Sequence, residues 1–178
     1  MTLPKRRIPF LPIPKSVTGS DTPSQLPVTL FRKLTPTRGQ NKKLPPSVSL
    51  IANKDLPSDQ TYRLEISSSR IKIQATGELG WHYGLLTLKQ IALGTEGFLP
   101  VISIEDHPDF LRRGIMLDVS RNKVPKLETL FYLIDLFASW KINELQLYIE
   151  HAFAYVGHET VWRNASPLTQ DDIKQLDA

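Results

Sequence analysis

Cysteine is absent, which excludes a disulfide scaffold, a thiolate nucleophile and any thiolate metal site. No uninterrupted apolar run approaches the ~18 residues needed to cross a bilayer. There is no glycine-rich phosphate loop and no serine elbow. Proline breaks every short apolar stretch between Met1 and Pro14. A secretory signal needs an unbroken apolar core of about 7–15 residues, so that segment does not read as one. These absences point to a soluble cytoplasmic chain without membrane contact. Export by a route that uses no such signal stays open.

What is present is unevenly spread. Residues 1–45 carry nine basic side chains and one acid, Asp21, whereas residues 46–178 carry 13 basic and 17 acidic ones. Nine of the 14 prolines lie at or before Pro46. A basic, proline-broken leader has little apolar surface to bury and cannot hold a helix. It could serve as a nucleic-acid or anionic-surface arm. Lys5-Arg6-Arg7 is a short run, however, and no aromatic residues alternate with the charges. The reading preferred for residues 1–46 is a poorly ordered tail followed by an edge strand. The full length of 178 residues suits one ordinary domain, or a small domain plus part of another.

Beyond Pro46 the pattern becomes regular. Residues 47–52 alternate as a strand. Tyr62, Leu64 and Ile66 share one face of a second strand, and Ile71 and Ile73 one face of a third. The link Ser67-Ser68-Ser69 predicts a hairpin between them. From Trp81 to Leu93 the period changes: Leu85, Leu88 and Ala92 fall at helical spacing, widened by Leu86 and Ile91, with Gly94 as a stop. A strand over Phe98–Ile104 follows, with Leu99, Val101 and Ser103 on one side. Strands with a helix on one face make an α+β domain over residues 47–108.

The last part, residues 109–178, has another rhythm. Ile115-Met116-Leu117 is a continuous apolar run that suits a strand buried on both faces. Pro125 sits where a first helical turn accepts it. Leu127, Leu130, Phe131, Ile134, Phe137 and Ala138 mark an amphipathic helix. Leu145, Leu147 and Ile149 lie on one face of a strand over Ile142–Ile149. A helix over Leu168–Asp177 follows, with Thr169 as N-cap before Asp171 and Asp172. This β-α-β-α order is the repeat of a parallel sheet or barrel. Two parallel strands with bare apolar faces and unpaired edges do not close a core. The expectation is therefore the front part of a larger protein or a truncated reading frame.

Three segments carry a resemblance. The string Phe110-Leu111-Arg112-Arg113-Gly114, then Ile115-Met116-Leu117-Asp118-Val119-Ser120-Arg121, then Lys123-Val124-Pro125, resembles the opening barrel strand of glycoside hydrolase family 20, the β-N-acetylhexosaminidases. Glu78 to Leu88, with its Tyr83-Gly84-Leu85, resembles the helix of that family's accessory domain. Trp140 to Tyr148 resembles the second barrel strand. The resemblance covers about residues 55–178. It implies an α+β accessory domain followed by the first βα units of an incomplete (β/α)8 TIM barrel.

It also implies substrate-assisted hydrolysis of a terminal N-acetylhexosamine on a glycan. In that chemistry the 2-acetamido oxygen attacks the anomeric carbon, a glutamic acid protonates the leaving oxygen, and the preceding aspartate orients the acetamido group. The family's Asp-Glu pair follows the fourth strand and has no counterpart here, so the chain alone is expected to be inactive. By the resemblance Arg113 corresponds to an arginine that hydrogen-bonds ring hydroxyls, with a structural ion pair at the strand start as the alternative. The rule that barrel sites lie at the C-terminal ends of strands points first to Asp118, Ser120 and Arg121. Asp118 and Arg121 read better as a supporting salt bridge than as direct ligands. Glu150 stands where the commoner pattern has an aspartate, and is weighed as a sugar-hydroxyl acceptor against pairing with Arg113 or Arg121. His151 projects to the opposite face.

No cofactor, metal or nucleic-acid partner is implied. His158-Glu159 begins like a zinc-protease helix, but position 162 is Trp162 rather than histidine. Asn164-Ala165-Ser166 matches a glycosylation sequon and is taken as chance. Trp140 is expected in the core, and Trp162 stays open as a sugar-stacking residue. A non-catalytic remnant or carbohydrate-binding fragment is the competing reading, and a nucleic-acid binder using the basic leader a third.

Overall fold

The computed structural model describes residues 14–32, 34 and 44–177. The tail around Lys5-Arg6-Arg7 lies outside the described residues. The chain divides between Leu111 and Arg112 into two units.

The first unit is a five-stranded mixed sheet with one helix on it. Its strands are β1 (Ser16–Pro27), β2 (Val48–Ala52), β3 (Tyr62–Ile66), β4 (Ile71–Ala75) and β5 (Phe98–Asp106), and its helix is α1 (Glu78–Gly94). The order across the sheet is β1-β5-β3-β4-β2. All pairs are antiparallel except β2 with β4. The expected hairpin is β3–β4, in which Ile66 pairs with Ile71. Its turn is closed by Ser67, whose backbone N–H donates to the Arg70 carbonyl at 2.9 Å.

Strand alternation explains the two faces. Tyr62, Leu64, Ile66, Ile71 and Ile73 are buried, and Leu64 lies between Ile73 and Ile104 in register. On the other face Arg63 pairs with Glu105 at 2.9 Å and Glu65 stands opposite Lys72. Tyr83, Gly84, Thr87, Leu88 and Ile91 give α1 its buried face, while Leu85, expected in that stripe, is only half-buried. The Tyr62 hydroxyl donates to Asp106 Oδ2 at 2.9 Å and lies 2.6 Å from Thr87 Oγ1. With the phenol proton committed to Asp106, Thr87 is the donor in the second bond. Burial, reinforced by the Asp106 charge, pushes the Tyr62 phenol well above its usual range.

The edge strand expected after the tail is β1, at one edge of the sheet. β1 and the 3-10 turn Val28–Leu30 bring Leu26, Val28 and Phe31 into the core. Arg32 closes the end of α1, donating from Nε to the Ala92 carbonyl at 3.0 Å and from a terminal nitrogen to the Thr95 carbonyl at 2.9 Å. In β5 the buried residues are Leu99, Ile102, Ile104 and Asp106, not Val101 and Ser103. The β1–β5 register shifts around Pro23 and Pro100, and that irregularity reverses the alternation.

The second unit holds two parallel strands, β6 (Gly114–Asp118) and β7 (Glu144–Tyr148), joined through α2 (Leu127–Ser139). A short helix α3 (Glu159–Trp162) and α4 (Gln170–Asp177) follow. Val119, Leu130 and Leu168 are buried, with Leu117, Leu147, Ile149, Ile173 and Leu176 packed around them. Helix α4 opens on a reciprocal cap. Thr169 Oγ1 accepts from the Asp172 N–H at 3.1 Å, and the Thr169 N–H donates to Asp172 Oδ2 at 2.8 Å. Helix α2 starts two residues after Pro125, which therefore precedes the helix instead of opening its first turn. β6 is not buried on both faces, because Met116 is 61% exposed. Trp140 is 40% exposed and leans on Phe137 with ring centroids 6.1 Å apart, so it is not a core residue of this unit.

Candidate functional site

The polar side chains of the second unit gather at the C-terminal ends of its two strands. Period-2 alternation puts Leu117, Leu147 and Ile149 against the helices, and hence Asp118, Tyr148 and Glu150 on the opposite face. Asp118 and Tyr148 are register partners. Past β6 the chain turns sharply, because Asp118 Oδ1 accepts the N–H groups of Ser120 at 2.9 Å and Arg121 at 3.1 Å. Asp118 Oδ2 takes the Arg121 guanidinium at 2.8 Å. Ladder bonding continues beyond β6, with the Val119 N–H donating to the Tyr148 carbonyl at 3.1 Å. The buried Ser120 Oγ accepts the Glu150 N–H.

Glu150 completes the cluster. Its Oε1 accepts the Tyr148 hydroxyl at 2.8 Å and faces an Arg121 nitrogen at 3.5 Å. The Arg121 guanidinium carbon lies 5.3 Å from the Tyr148 ring centroid, within cation–π range. The hydrogen bonds from the Ser120 and Arg121 backbones, with the Arg121 charge beside them, hold the Asp118 carboxyl below its usual value. The Asp118 charge, then that of Glu150, raises the Arg121 guanidinium. The hydrogen bond to Glu150 raises the Tyr148 phenol. A carboxylate held ionised at Asp118 suits accepting hydrogen bonds and does not suit donating a proton.

The Asp118 turn has a pH signature. Its folded value is depressed, so its stabilisation is present above the unfolded value and is lost as pH falls through the folded one. At neutral pH the turn is intact. Below the ordinary carboxyl value of 3.8 the Ser120 and Arg121 amide protons should move together in an NMR titration. If they stay fixed through that range, the turn does not depend on the carboxylate.

Of the residues singled out from sequence, Asp118, Arg121 and Glu150 come together, and the Asp118–Arg121 salt bridge is present. Arg113 does not join them. It precedes β6, and the five strand residues between it and Val119 span about 16 Å at ~3.3 Å per residue. Its Nε donates to the Lys141 carbonyl at 2.8 Å, and its N–H to Asn143 Oδ1 at 2.8 Å. Arg113 thus ties the start of β6 to the turn before β7. His151 is exposed. Trp162 Nε1 donates to the Tyr155 carbonyl at 2.8 Å, which fixes the 155–162 loop. The residue that sequence reasoning missed is Tyr148, although its place two before Glu150 put both on one face. Among the described residues no group of three or more histidines and carboxylates could hold a metal. No described helix is long and apolar enough to cross a membrane.

An apolar groove of about 630 Å³ lies between α2, β7 and α4, lined by Ile134, Phe137, Leu145, Leu147, Ile173 and Leu176 among others. It is on the helix side of the sheet, away from the Asp118–Glu150 cluster.

Residues 20–107 match the family model described as glycosyl hydrolase family 20, domain 2. That match starts well before the span of about residues 55–178 over which the sequence motifs were recognised. The chain is 36% identical over 110 residues to a beta-N-acetylhexosaminidase of Cellulomonas fimi, which takes in 59% of this chain and 22% of the relative. It is 31% identical over 132 residues to beta-hexosaminidase subunit beta of Entamoeba histolytica, taking in 66% of this chain and 23% of the relative. The chain therefore spans less than a quarter of the length of these relatives. A family 20 exo beta-N-acetylglucosaminidase from Vibrio harveyi, solved in complex with N-acetylglucosamine, matches with a TM-score of 0.74 at 19% identity. That match covers 99% of this chain and 35% of the other, and at this identity the likeness is one of fold.

Proposed function

We infer, from a chain whose residues 20–107 match the model of glycosyl hydrolase family 20, domain 2, that it is the N-terminal part of a β-N-acetylhexosaminidase. On this reading the first unit is the accessory domain, to which residues before 47 contribute β1. Residues 109–178 begin a (β/α)8 barrel, with β6 and β7 as its first two strands. The single observation that carries the reading is the parallel β6–α2–β7 unit following directly on a family 20 domain 2.

The substrate is the terminal N-acetylhexosamine of a glycan or glycoconjugate. Hydrolysis is substrate-assisted: the acetamido oxygen displaces the leaving group, and groups beyond this chain supply the acid and orient the acetamido group. No metal or cofactor is required. Asp118, Arg121 and Glu150 form part of the sugar-binding wall, a role supported by their place at the C-terminal ends of parallel strands. Within that wall Asp118 anchors Arg121, and Glu150 accepts a sugar hydroxyl. Arg113, at the opposite end of β6 and tied to the Lys141 carbonyl and Asn143, is left out of that wall.

The complete protein that contains this chain should release the chromophore from an aryl N-acetyl-β-glucosaminide, and Glu150→Gln should raise KM about tenfold, the loss of one charge-assisted hydrogen bond. A complete protein that neither binds nor cleaves any N-acetylhexosaminide would overturn the reading in favour of a non-catalytic remnant.

A further inference from the structure

Glu150 is held unusually completely for a side chain at the surface. Its backbone N–H is fixed by Ser120 Oγ, and its Oε1 accepts the Tyr148 hydroxyl and forms an ion pair with an Arg121 nitrogen at 3.5 Å. Arg121 is itself held by Asp118 Oδ2 on one side and lies over the Tyr148 ring on the other. Every donor that reaches the carboxylate goes to the same oxygen, and among the described residues Oε2 has no partner. A long side chain loses rotamer freedom when it is pinned in this way. A simple surface ion pair would be met equally well by Arg121 alone, and would need neither the phenol nor the serine.

We propose that Tyr148 is a positioning residue, which with Arg121 fixes Oε1 of Glu150 so that Oε2 is presented to a hydroxyl of the bound sugar. This rests on the reading of the chain as part of a β-N-acetylhexosaminidase and assigns a task within it to a residue that the family pattern does not mark. Tyr148 touches Glu150 and acts through it. A neutral hydroxyl needs one oriented acceptor oxygen, and a carboxylate whose second oxygen is already occupied offers one in a fixed direction. The elevated Tyr148 phenol agrees with this arrangement, because its proton is retained by the bond to Glu150.

Two measurements test it. In the 178-residue chain, the ultraviolet titration of the Tyr148 phenol should fall towards the ordinary tyrosine value in Glu150→Gln, and a midpoint unmoved by the substitution would overturn the contact. In the complete protein, Tyr148→Phe keeps the ring under Arg121 and removes only the hydroxyl. KM for an aryl N-acetyl-β-glucosaminide should rise three- to tenfold, with kcat changed less than twofold. The double variant Tyr148→Phe/Glu150→Gln should be no worse than Glu150→Gln alone. Tyr148→Phe kinetics equal to the parent, or independent effects that multiply in the double variant, would overturn the positioning role while leaving the enzyme assignment standing. A parent protein with no hydrolysis and no sugar binding overturns both, and is recognised by the silence of the parent itself.

Discussion

Phe31→Ala is expected to remove about 3–5 kcal/mol from the stability of the first unit, the cost of emptying a fully buried aromatic site. Phe31 is 0% exposed and belongs to the core that β3, β4, β5 and α1 enclose. The thermal midpoint, followed by near-ultraviolet circular dichroism on the whole chain, should fall by about 12–40 °C at ~4–8 °C per kcal/mol for a domain of this size. Leu30 supplies the control. It ends the 3-10 turn that Phe31 caps and is 52% exposed. Leu30→Ala should therefore stay within about 0.5 kcal/mol of the parent. Equal, small effects of both substitutions would mean that the segment before residue 47 is a dispensable leader.

Gly80→Val should be about as damaging. Helix α1 lies so close to the sheet that a Cβ on Gly80 would come within 2.6 Å of the Thr61 carbonyl oxygen and 2.6 Å of Ala75 Cβ. One turn on, a Cβ at Gly84 would collide with Ile73 Cγ2 and stand 3.3 Å from a Tyr62 ring carbon. Neither obstacle is the free end of a flexible side chain. Overpacking costs about 1–3 kcal/mol in cores that can adjust, and a backbone carbonyl adjusts least, so about 3 kcal/mol or more is expected. That loss exceeds the ~1 kcal/mol a helix gains when glycine is replaced by alanine. Urea unfolding of Gly80→Val against Gly77→Ser separates the causes, because a Cβ at Gly77 meets nothing within 4 Å. A Gly80→Val midpoint matching that of Gly77→Ser would show that close approach is not what the glycine provides.

Much of the fold was legible wherever burial follows a simple period. β3, β4 and the α2–β7 succession announce themselves because one face is buried and the other solvated, as with Leu64 between Arg63 and Glu65. β1 is expected as an edge strand, but no alternation marks its bounds. Ser16 to Pro27 is polar and twice interrupted by proline, as an edge strand with an irregular register can be, and only its partner β5 reveals those bounds. The same irregularity hid the true phase of β5, since alternation read from Leu99 lands on Val101 instead of Ile102. Ile115-Met116-Leu117 misled in another way. An apolar run records the surroundings in which a strand is meant to lie, and in this structure one face of β6 has no cover.

At the candidate site, the Asp118–Arg121 pair could be read locally because it spans three residues on one turn. The bond from Tyr148 to Glu150 could not, because it depends on where a strand ends. Arg113 shows the limit of motif reasoning. A string assigns a residue to a role, but only the strand direction decides which end of the sheet that residue occupies.

The pairing of β1 with β5 joins the first strand of the unit to the last. Ser16 meets Glu105 across nearly its whole length, while the hairpin β3–β4 closes over four residues. Contacts so distant along the chain form late, after shorter loops have closed. During synthesis β1 leaves the ribosome without its pairing strand until β5 has emerged. In that interval a bare strand is open to other chains, so a helper that shelters extended polypeptide would raise the yield of this protein more than it would raise that of one built from neighbours.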